Sequence, residues 1–181
     1  MNPTHGKSIS AMARRKPCST PSRQRGAVAI FIGLTAVLMI GFAGLALDLG
    51  RMYVNKNELQ NAADACALAA SSELTADPSV GPVGTSYLEN AEAAALTVGN
   101  RNDSNFQSSP PNIVAADVRF SMALAPSSNY LSRTAGAPNA SRYVMCIARQ
   151  TGITPWFMQI LGIGDQVINA QAVATLAPSQ T

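Results

Sequence analysis

The chain has 181 residues, a formal net charge of +3 and three cysteines. Its single histidine is His5, so the rest of the chain holds neither a histidine pair for zinc nor a Ser-His-Asp or Cys-His site. The sequence also lacks the Gly-x-x-x-x-Gly-Lys-Ser/Thr phosphate loop, which excludes an ATP-driven motor. We therefore predict a protein that is not an enzyme and holds no cofactor and no metal.

Residues 26–47 form a run of 22 positions without a charge, bounded by Arg25 and Asp48. At about 1.5 Å per residue, a helix over this run is about 33 Å long, which suffices to cross a hydrocarbon core of about 30 Å. A buried helix of a soluble domain usually needs only about 10–14 apolar residues. The run therefore predicts a single transmembrane helix.

Charge is distributed unequally on the two sides of this run. The first 25 residues hold six basic and no acidic residues, whereas the residues after 47 hold seven basic and ten acidic ones. A short basic flank is typical of the cytoplasmic side of a membrane. We expect 1–25 to be a disordered cytoplasmic tail, 26–47 to cross a membrane, and 48–181 to form a module on its far side, which is the periplasm if the cell is Gram-negative, and which binds no nucleic acid.

The same run can be interpreted as a cleaved secretion signal, because Gly44, Leu45 and Ala46 offer small residues at the spacing of a cleavage site. A signal, however, has an apolar core of only about 7–15 residues, and the sequence after Ala46 continues as a helix. We favour an uncleaved anchor. The alternative is a secreted or periplasmic binding protein that has lost its first 46 residues.

Past the run, residues 48–73 contain no proline and one glycine, which predicts that the helix continues to about Leu74. A mostly apolar stripe with spacings of three and four would face a partner surface; it consists of Met52, Lys56, Leu59, Ala63, Cys66 and Ala70. The opposite, polar side is assigned Asn55, Asn57, Glu58 and Asn61.

Residues 77–82 break this helix, and a second helix is predicted over 86–98. Alternating apolar residues then predict two strands, over 116–124 and 166–176. A third strand is predicted over 143–149, which is rich in apolar and β-compatible residues, with a loop before it at 127–140. Thr154-Pro155 predicts the start of a short helix over 156–161. The expected fold class is α+β, with a long N-terminal helix packed on a small antiparallel sheet and a pilin-like outline.

Two cysteines, Cys66 and Cys146, follow the predicted span, where the compartment is oxidising under this topology. Cys66 lies on the apolar stripe, and Cys146 shares a strand face with Val144 and Ala148. If that face packs on the helix, the two cysteines can form a disulfide; two buried free thiols are the alternative.

Small residues recur within the predicted span at Ala29, Gly33, Ala36, Gly41 and Gly44. Small side chains let membrane helices approach closely, so these positions are candidates for packing against another helix, including one of a second copy. The alternative is that glycine and alanine are simply frequent in membrane helices.

Three stretches carry a family resemblance: RGAVAI at 25–30, GFAGLALDLGRMY at 41–53 and ELQNAADACALA at 58–69. In this order they resemble the N-terminal region of the TadE/TadG-like proteins of Flp pilus assembly, the tight-adherence secretion system. The motif positions are Asp48, Gly50, Arg51, Tyr53, Leu59, Gln60, Ala63 and Asp64.

This resemblance implies a non-enzymatic component of Flp (type IVb) pilus assembly that is anchored in the inner membrane and works with other Tad/Flp proteins. Pilins and TadE-like pseudopilins carry a glutamate five residues after the processing glycine, whereas Phe31 stands at that distance from Gly26. The chain is therefore more similar to the TadG side, which implies a permanent anchor. Processing at Gly26 or at Ala46 stays open at this point.

Overall fold

The structure is a computed structural model that describes residues 25–74, 87–104, 106, 108–124 and 126–176. The described residues fall into two units, which divide between Met39 and Ile40. The second unit contains the C-terminal part of the first helix and every other helix and strand. His5, Cys18 and the predicted helix break at 77–82 lie outside the described residues.

Helix α1 runs Arg25–Ser72 and includes both the apolar run and the family motif. By length and composition it is a helix that fits a membrane span, and the apolar side chains of its first part, such as Phe31 and Phe42, are exposed. Beyond Ser72 the backbone N–H of Glu73 donates to Ala70 and that of Leu74 to Ser71, which closes the last turn tightly.

The predicted α+β class is confirmed by a four-stranded antiparallel sheet. Its strands are β1 (Val118–Ser121), β2 (Leu131–Ser132), β3 (Tyr143–Ile153) and β4 (Gln166–Thr175), in the spatial order β2-β1-β3-β4. The register pairs Val118 with Cys146 and Ala148 with Ala170, and it shifts between Gln150 and Ile153. Strand β4 therefore forms one edge of the sheet.

Helix α2 (Tyr87–Gly99) packs on α1 at a point of close approach. A Cβ atom added at Gly99 would lie 2.9 Å from the Cβ of Cys66 and 2.8 Å from the side chain of Ile113. Only glycine fits there without movement of its neighbours. Elsewhere on α2, the buried Glu92 forms an ion pair at 3.0 Å with Arg133, which ties the helix to residues 133–135.

One contiguous core joins these elements, because the Ala-rich face of α1 packs against α2 and one face of the sheet. The small alanine side chains let the backbones approach closely, and the larger residues fill the space between the layers. The core includes Leu59, Ala62, Ala63, Cys66, Ala67, Ala70, Leu88, Ala91, Val118, Phe120, Val144, Cys146, Ala148 and Ala170.

The buried face of α1 differs from the predicted stripe at two positions. Asn55 was assigned to the polar side but is fully buried, and Lys56 was assigned to the stripe but is exposed. The reason is the helix phase: Asn55 lies seven residues after Asp48 and four before Leu59, both of which are buried, so all three share one face.

Two local predictions were also wrong. The predicted helix over 156–161 is a 3-10 helix confined to Met158–Leu161, because the backbone before it bends to contact α1. The predicted loop over 127–140 contains strand β2 and two 3-10 helices, Ser127–Asn129 and Arg133–Ala135. The two-residue β2 is too short for an alternating pattern to reveal it.

Candidate functional site

Asp48 is a buried carboxylate that binds three successive backbone amides from a distant part of the chain. Its Oδ1 accepts the N–H of Trp156 at 2.9 Å, and its Oδ2 accepts those of Phe157 and Met158 at 2.8 and 2.7 Å. The amides belong to the segment that leads into the 3-10 helix Met158–Leu161. Asp48 thus acts as a cap supplied by another helix, satisfying N–H groups that have no partner within their own turn.

The environment of Asp48 sets its protonation. Burial removes water from the carboxylate and by itself raises the pKa. The hydrogen bonds from Met158, Trp156 and Phe157, together with the positive charge of Arg51, outweigh burial, so the pKa of Asp48 lies below its ordinary value. The side chain is therefore an anion at neutral pH, as a purely accepting role requires.

Arg51 binds the same segment one helical turn later. Its Nη1 donates to the carbonyl oxygen of Thr154 at 3.2 Å, and its guanidinium carbon lies 5.0 Å from the ring centroid of Trp156. That distance is within the range of a cation–π interaction. The hydroxyl of Thr154 in turn donates to Asp165 at 2.7 Å, which closes the far end of the loop.

Gly44 completes the contact one turn before Asp48. A Cβ atom at this position would lie 2.5 Å from Cγ of Phe157, so the ring rests directly on the helix backbone. Gly44, Asp48 and Arg51 follow one another at spacings of four and three, which places them on one side of α1. Together with residues 154–158 they form what we call the α1–loop contact.

The residues of α1 that make this contact also lie in a recognisable family segment. Residues 26–73 match the model of the TadE/G-like Flp pilus-assembly family. The resemblance predicted from the sequence is thereby confirmed over this segment, and it supports a role in Flp pilus assembly. The match does not separate TadE-like from TadG-like proteins. Neither the curated proteins nor the solved structures include one that matches the chain.

Within the TadE/G-like segment, some motif positions serve the interior of the fold. Leu59 and Ala63 are fully buried in the core. The side-chain amide of Gln60 donates to the carbonyl of Gln171 at 3.2 Å, and Lys56 donates to the carbonyl of Asn169. Both acceptors lie on edge strand β4, so α1 covers backbone groups that this edge would otherwise leave unpaired.

Other motif positions of the TadE/G-like segment point outward. Gly50 and Tyr53 are exposed, and Asp64 is exposed while it accepts a hydrogen bond from Gln60 at 3.1 Å. A Cβ atom added at Gly50 would meet no atom of the described residues within 4 Å. These three positions lie on a single helix face, at spacings that fit the helical period. Packing within the part of the chain that the structure describes does not account for them.

The small residues predicted to pack against another membrane helix fall into two groups. Gly44 is buried under Phe157, so its smallness serves the α1–loop contact. The remaining positions are exposed, and their role in helix packing stays a prediction; they are Ala29, Gly33, Ala36 and Gly41.

Cys66 and Cys146 are buried and paired with each other in the structure, with their Cα atoms 6.0 Å apart. The pair connects α1 to β3 across 80 residues of sequence.

Among the described residues, no group of three His, Cys, Asp or Glu side chains is arranged to hold a metal ion. A polar groove of about 480 Å³ lies beside Lys56, Arg119 and Arg149. Arg149 is already paired there with Asp117 at 2.7 Å.

The loop side of the contact was missed at the sequence level. Trp156 and Phe157 were predicted to be helical, and nothing in their local pattern indicates a bond to a carboxylate 108 or 109 positions earlier. Asn55 was missed as well: it is fully buried, and neither polar atom of its side chain has a hydrogen-bond partner among the described residues. The signal that could have identified Asn55 is the helical register, which places it on the same face as Asp48 and Leu59.

Proposed function

We propose that this chain is a non-enzymatic, membrane-anchored component of Flp pilus assembly, the tight-adherence secretion system. The observation that carries the proposal is the TadE/G-like match over 26–73, which includes the apolar run and every motif position of α1. The mechanism is positioning: the apolar part of α1 holds the chain in the membrane, and the module after it meets partners. The α1–loop contact fixes residues 154–158 to the helix at the end of the apolar run.

The length of the apolar helix supports a single-pass anchor, and the charge distribution supports its direction. Six basic residues precede the run without any acidic residue, whereas acidic residues outnumber basic ones after it. With the positive flank inside, the N-terminus is cytoplasmic, and 48–181 is a periplasmic module next to the inner membrane.

The TadG-like subtype is part of the proposal. Phe31 stands five residues after Gly26, and the apolar run holds no acidic side chain that resembles the glutamate of a processed pilin. The chain is then a permanent anchor, and the helix is not released to join a fibre.

Two surfaces of α1 are proposed for partners. The exposed motif face with Gly50, Tyr53 and Asp64 is the surface for other Tad/Flp proteins, since packing among the described residues leaves these positions unexplained. The exposed small residues of the apolar run, Gly33 and Ala36 among them, are the surface for another membrane helix, including that of a second copy.

Deletion of the gene tests the proposal. We expect the deletion strain to lose its surface Flp fibres, seen by electron microscopy, while prepilin processing, seen on immunoblots, is unchanged. The reason is that an assembly component acts after the pilin has been made and processed. Normal piliation in the deletion strain would contradict the proposal.

Complementation with point variants locates the partner surface within the same experiment. Tyr53→Ala should restore the protein level but not the fibres, because Tyr53 is 67% exposed and its loss leaves the core intact. Phe106→Ala is the matched control, an aromatic ring that is 56% exposed and lies outside the TadE/G-like segment. Equal fibre counts for both variants would remove Tyr53 from the partner surface.

A secreted or periplasmic binding protein is the second candidate, favoured by the small residues Gly44 to Ala46 at a cleavage spacing. The mass of the mature chain separates the two. An intact chain in the membrane fraction fits the anchor, and a soluble chain without its first 46 residues fits the signal.

A further inference from the structure

The loop that contacts α1 carries a dense set of exposed apolar side chains. Ile160 is 83% exposed, Leu161 74% and Trp156 64%, and Phe157 and Ile163 are also exposed. No charged residue occurs from 156 to 164. We call residues 156–163 the apolar loop. Contiguous apolar surface of this kind marks an interaction site on a protein that otherwise faces water.

The apolar loop is held at the end of the apolar run. Phe157 rests on Gly44, which lies within the run, and Asp48, the first residue after the run, binds the three amides at the start of the loop. Gly44 and Asp48 are only about 6 Å apart along the helix axis. All these residues belong to the unit that begins at Ile40, so their placement is internal to one unit.

The helix surface next to the apolar loop also exposes apolar side chains. Leu47 and Leu49 are exposed beside the contact. Arg51 places its charge over the ring of Trp156. The pair therefore combines an apolar aromatic ring with a charged, polar end. Tryptophan rings and basic side chains of this kind concentrate at the boundary between lipid headgroups and acyl chains.

Most backbone N–H groups of the apolar loop have hydrogen-bond partners, which is unusual for an exposed loop. The first three donate to the Asp48 carboxylate. Within the loop, the N–H groups of Ile160, Gly162 and Ile163 donate to the carbonyl oxygens of Phe157, Gln159 and Met158. Unpaired backbone N–H groups are what normally keeps irregular segments out of lipid. This loop has partners for most of them.

We infer that the apolar loop lies in the outer interface of the lipid bilayer, with Ile160 and Leu161 among the acyl chains and Trp156 at headgroup level. The inference rests on the proposed membrane anchor, because the depth of the loop follows from that of the apolar run. The ligand is the bilayer surface itself. The loop gives the module a second attachment to the membrane and so limits its tilt against the bilayer surface.

Trp156 is the only tryptophan of the chain, so its fluorescence reports on the apolar loop directly. The experiment uses the full chain, reconstituted in phosphatidylcholine vesicles and checked for retention after alkaline carbonate washing. Lipids brominated near the headgroup, or near the chain ends, serve as quenchers from the bilayer, and acrylamide serves as the quencher from water. We expect emission at shorter wavelength than in unfolded protein, strong quenching by the shallow bromolipid, less by the deep one, and little by acrylamide.

The double variant Ile160→Ser/Leu161→Ser should shift the emission to longer wavelength and reduce bromolipid quenching. Met122→Ser/Leu124→Ser is the matched control, since both residues are exposed and apolar but lie beyond the end of β1, and it should leave the signal unchanged.

The outcomes separate this inference from the proposed function. A carbonate-resistant chain whose Trp156 responds to acrylamide but not to bromolipid would overturn the inference and leave the anchor standing. Protection from both quenchers, with cross-linking between copies at the apolar loop, would assign the loop to a protein partner and also overturn it. A chain stripped from the vesicles by carbonate would contradict the anchor and the inference together.

Discussion

At the scale of single residues, Asp48 is the side chain on which the α1–loop contact depends. Its two oxygens accept hydrogen bonds from three backbone amides, those of Trp156, Phe157 and Met158. A buried anion is tolerated only where its acceptor sites are filled, and here both oxygens are filled by oriented N–H groups. The motif position therefore has a structural reason that does not involve catalysis.

Asp48→Asn should loosen the α1–loop contact although the side chain keeps its shape. The asparagine side chain retains one acceptor oxygen. Its NH2 group can only donate, so it cannot accept a hydrogen bond from the backbone N–H that it would face. We expect a lower thermal midpoint for the full chain in detergent, followed by Trp156 fluorescence. Asp64→Asn is the control, because Asp64 is exposed and binds only Gln60 among the described residues. Equal midpoints for the two variants would show that the Asp48 bonds contribute nothing to stability.

The pKa of Asp48 adds a pH dependence to this comparison. Because the pKa is lower in the folded chain than in the unfolded one, the stabilisation is complete above the ordinary pKa range of Asp and is lost as the pH falls through the depressed value. The difference between wild type and Asp48→Asn should therefore be constant near neutral pH and shrink in acid.

At the scale of elements, the contact joins a regular helix to an irregular loop. Helix α1 supplies Gly44, Asp48 and Arg51 at helical spacing, while the loop supplies one aromatic ring for the glycine and three amides for the carboxylate. The 3-10 helix Met158–Leu161 begins where Asp48 caps it and ends at Gly162, whose φ of 79° suits glycine. The predicted longer helix was wrong because this cap comes from outside the element.

Gly44→Ala tests how closely the loop packs on α1. The added methyl would lie 2.5 Å from the ring of Phe157, so the ring must move, and overpacking of this kind costs about 1–3 kcal/mol. We expect faster hydrogen exchange at residues 156–161, measured by mass spectrometry. The methyl group of Gly41→Ala would meet no described atom within 4 Å, so this control should leave exchange in the loop unchanged. Unaltered exchange in Gly44→Ala would mean that Phe157 does not rest on the helix in solution.

At the scale of the whole molecule, Cys66 and Cys146 connect α1 to the middle of the sheet. Both are buried in the core where α1, α2 and β3 meet, beside the close approach at Gly99. A bond between them closes a loop of 80 residues. In the chain-entropy account, closing such a loop raises the free energy of unfolding by about 4.5 kcal/mol, and strain in the folded state reduces that figure.

Cys66→Ser should lower the free energy of unfolding by up to about 4 kcal/mol, since it removes the cross-link and leaves a hydroxyl in the core. Urea unfolding of the exported chain would measure the loss. On a non-reducing gel the wild type should run faster than its reduced form, and Cys66→Ser should abolish that difference. Cys18→Ser, which changes the third cysteine, is the control and should retain it. Titration of two free thiols in exported Cys18→Ser protein would contradict the disulfide.

Much of the fold followed from local pattern. Strands β1 and β4 lie where alternating residues predicted them, and β3 lies where a segment rich in apolar and β-compatible residues did. Helices α1 and α2 lie where helix-forming residues predicted them. The exceptions depended on distant contacts. Strand β2 is only two residues long, and Asn55 is buried despite its polarity because Asp48 and Leu59 share its face.

The sequence by itself determined the apolar run, the charge bias around it, the α+β class and the TadE/G-like segment. These features follow from composition and from periods of two and 3.6 residues, which each element carries locally. Only the tertiary structure decided what the motif binds: Asp48 and Arg51 meet Trp156, and Gly44 meets Phe157. Those partners are more than 100 positions apart, and one backbone amide is chemically like another, so no local pattern could have identified them.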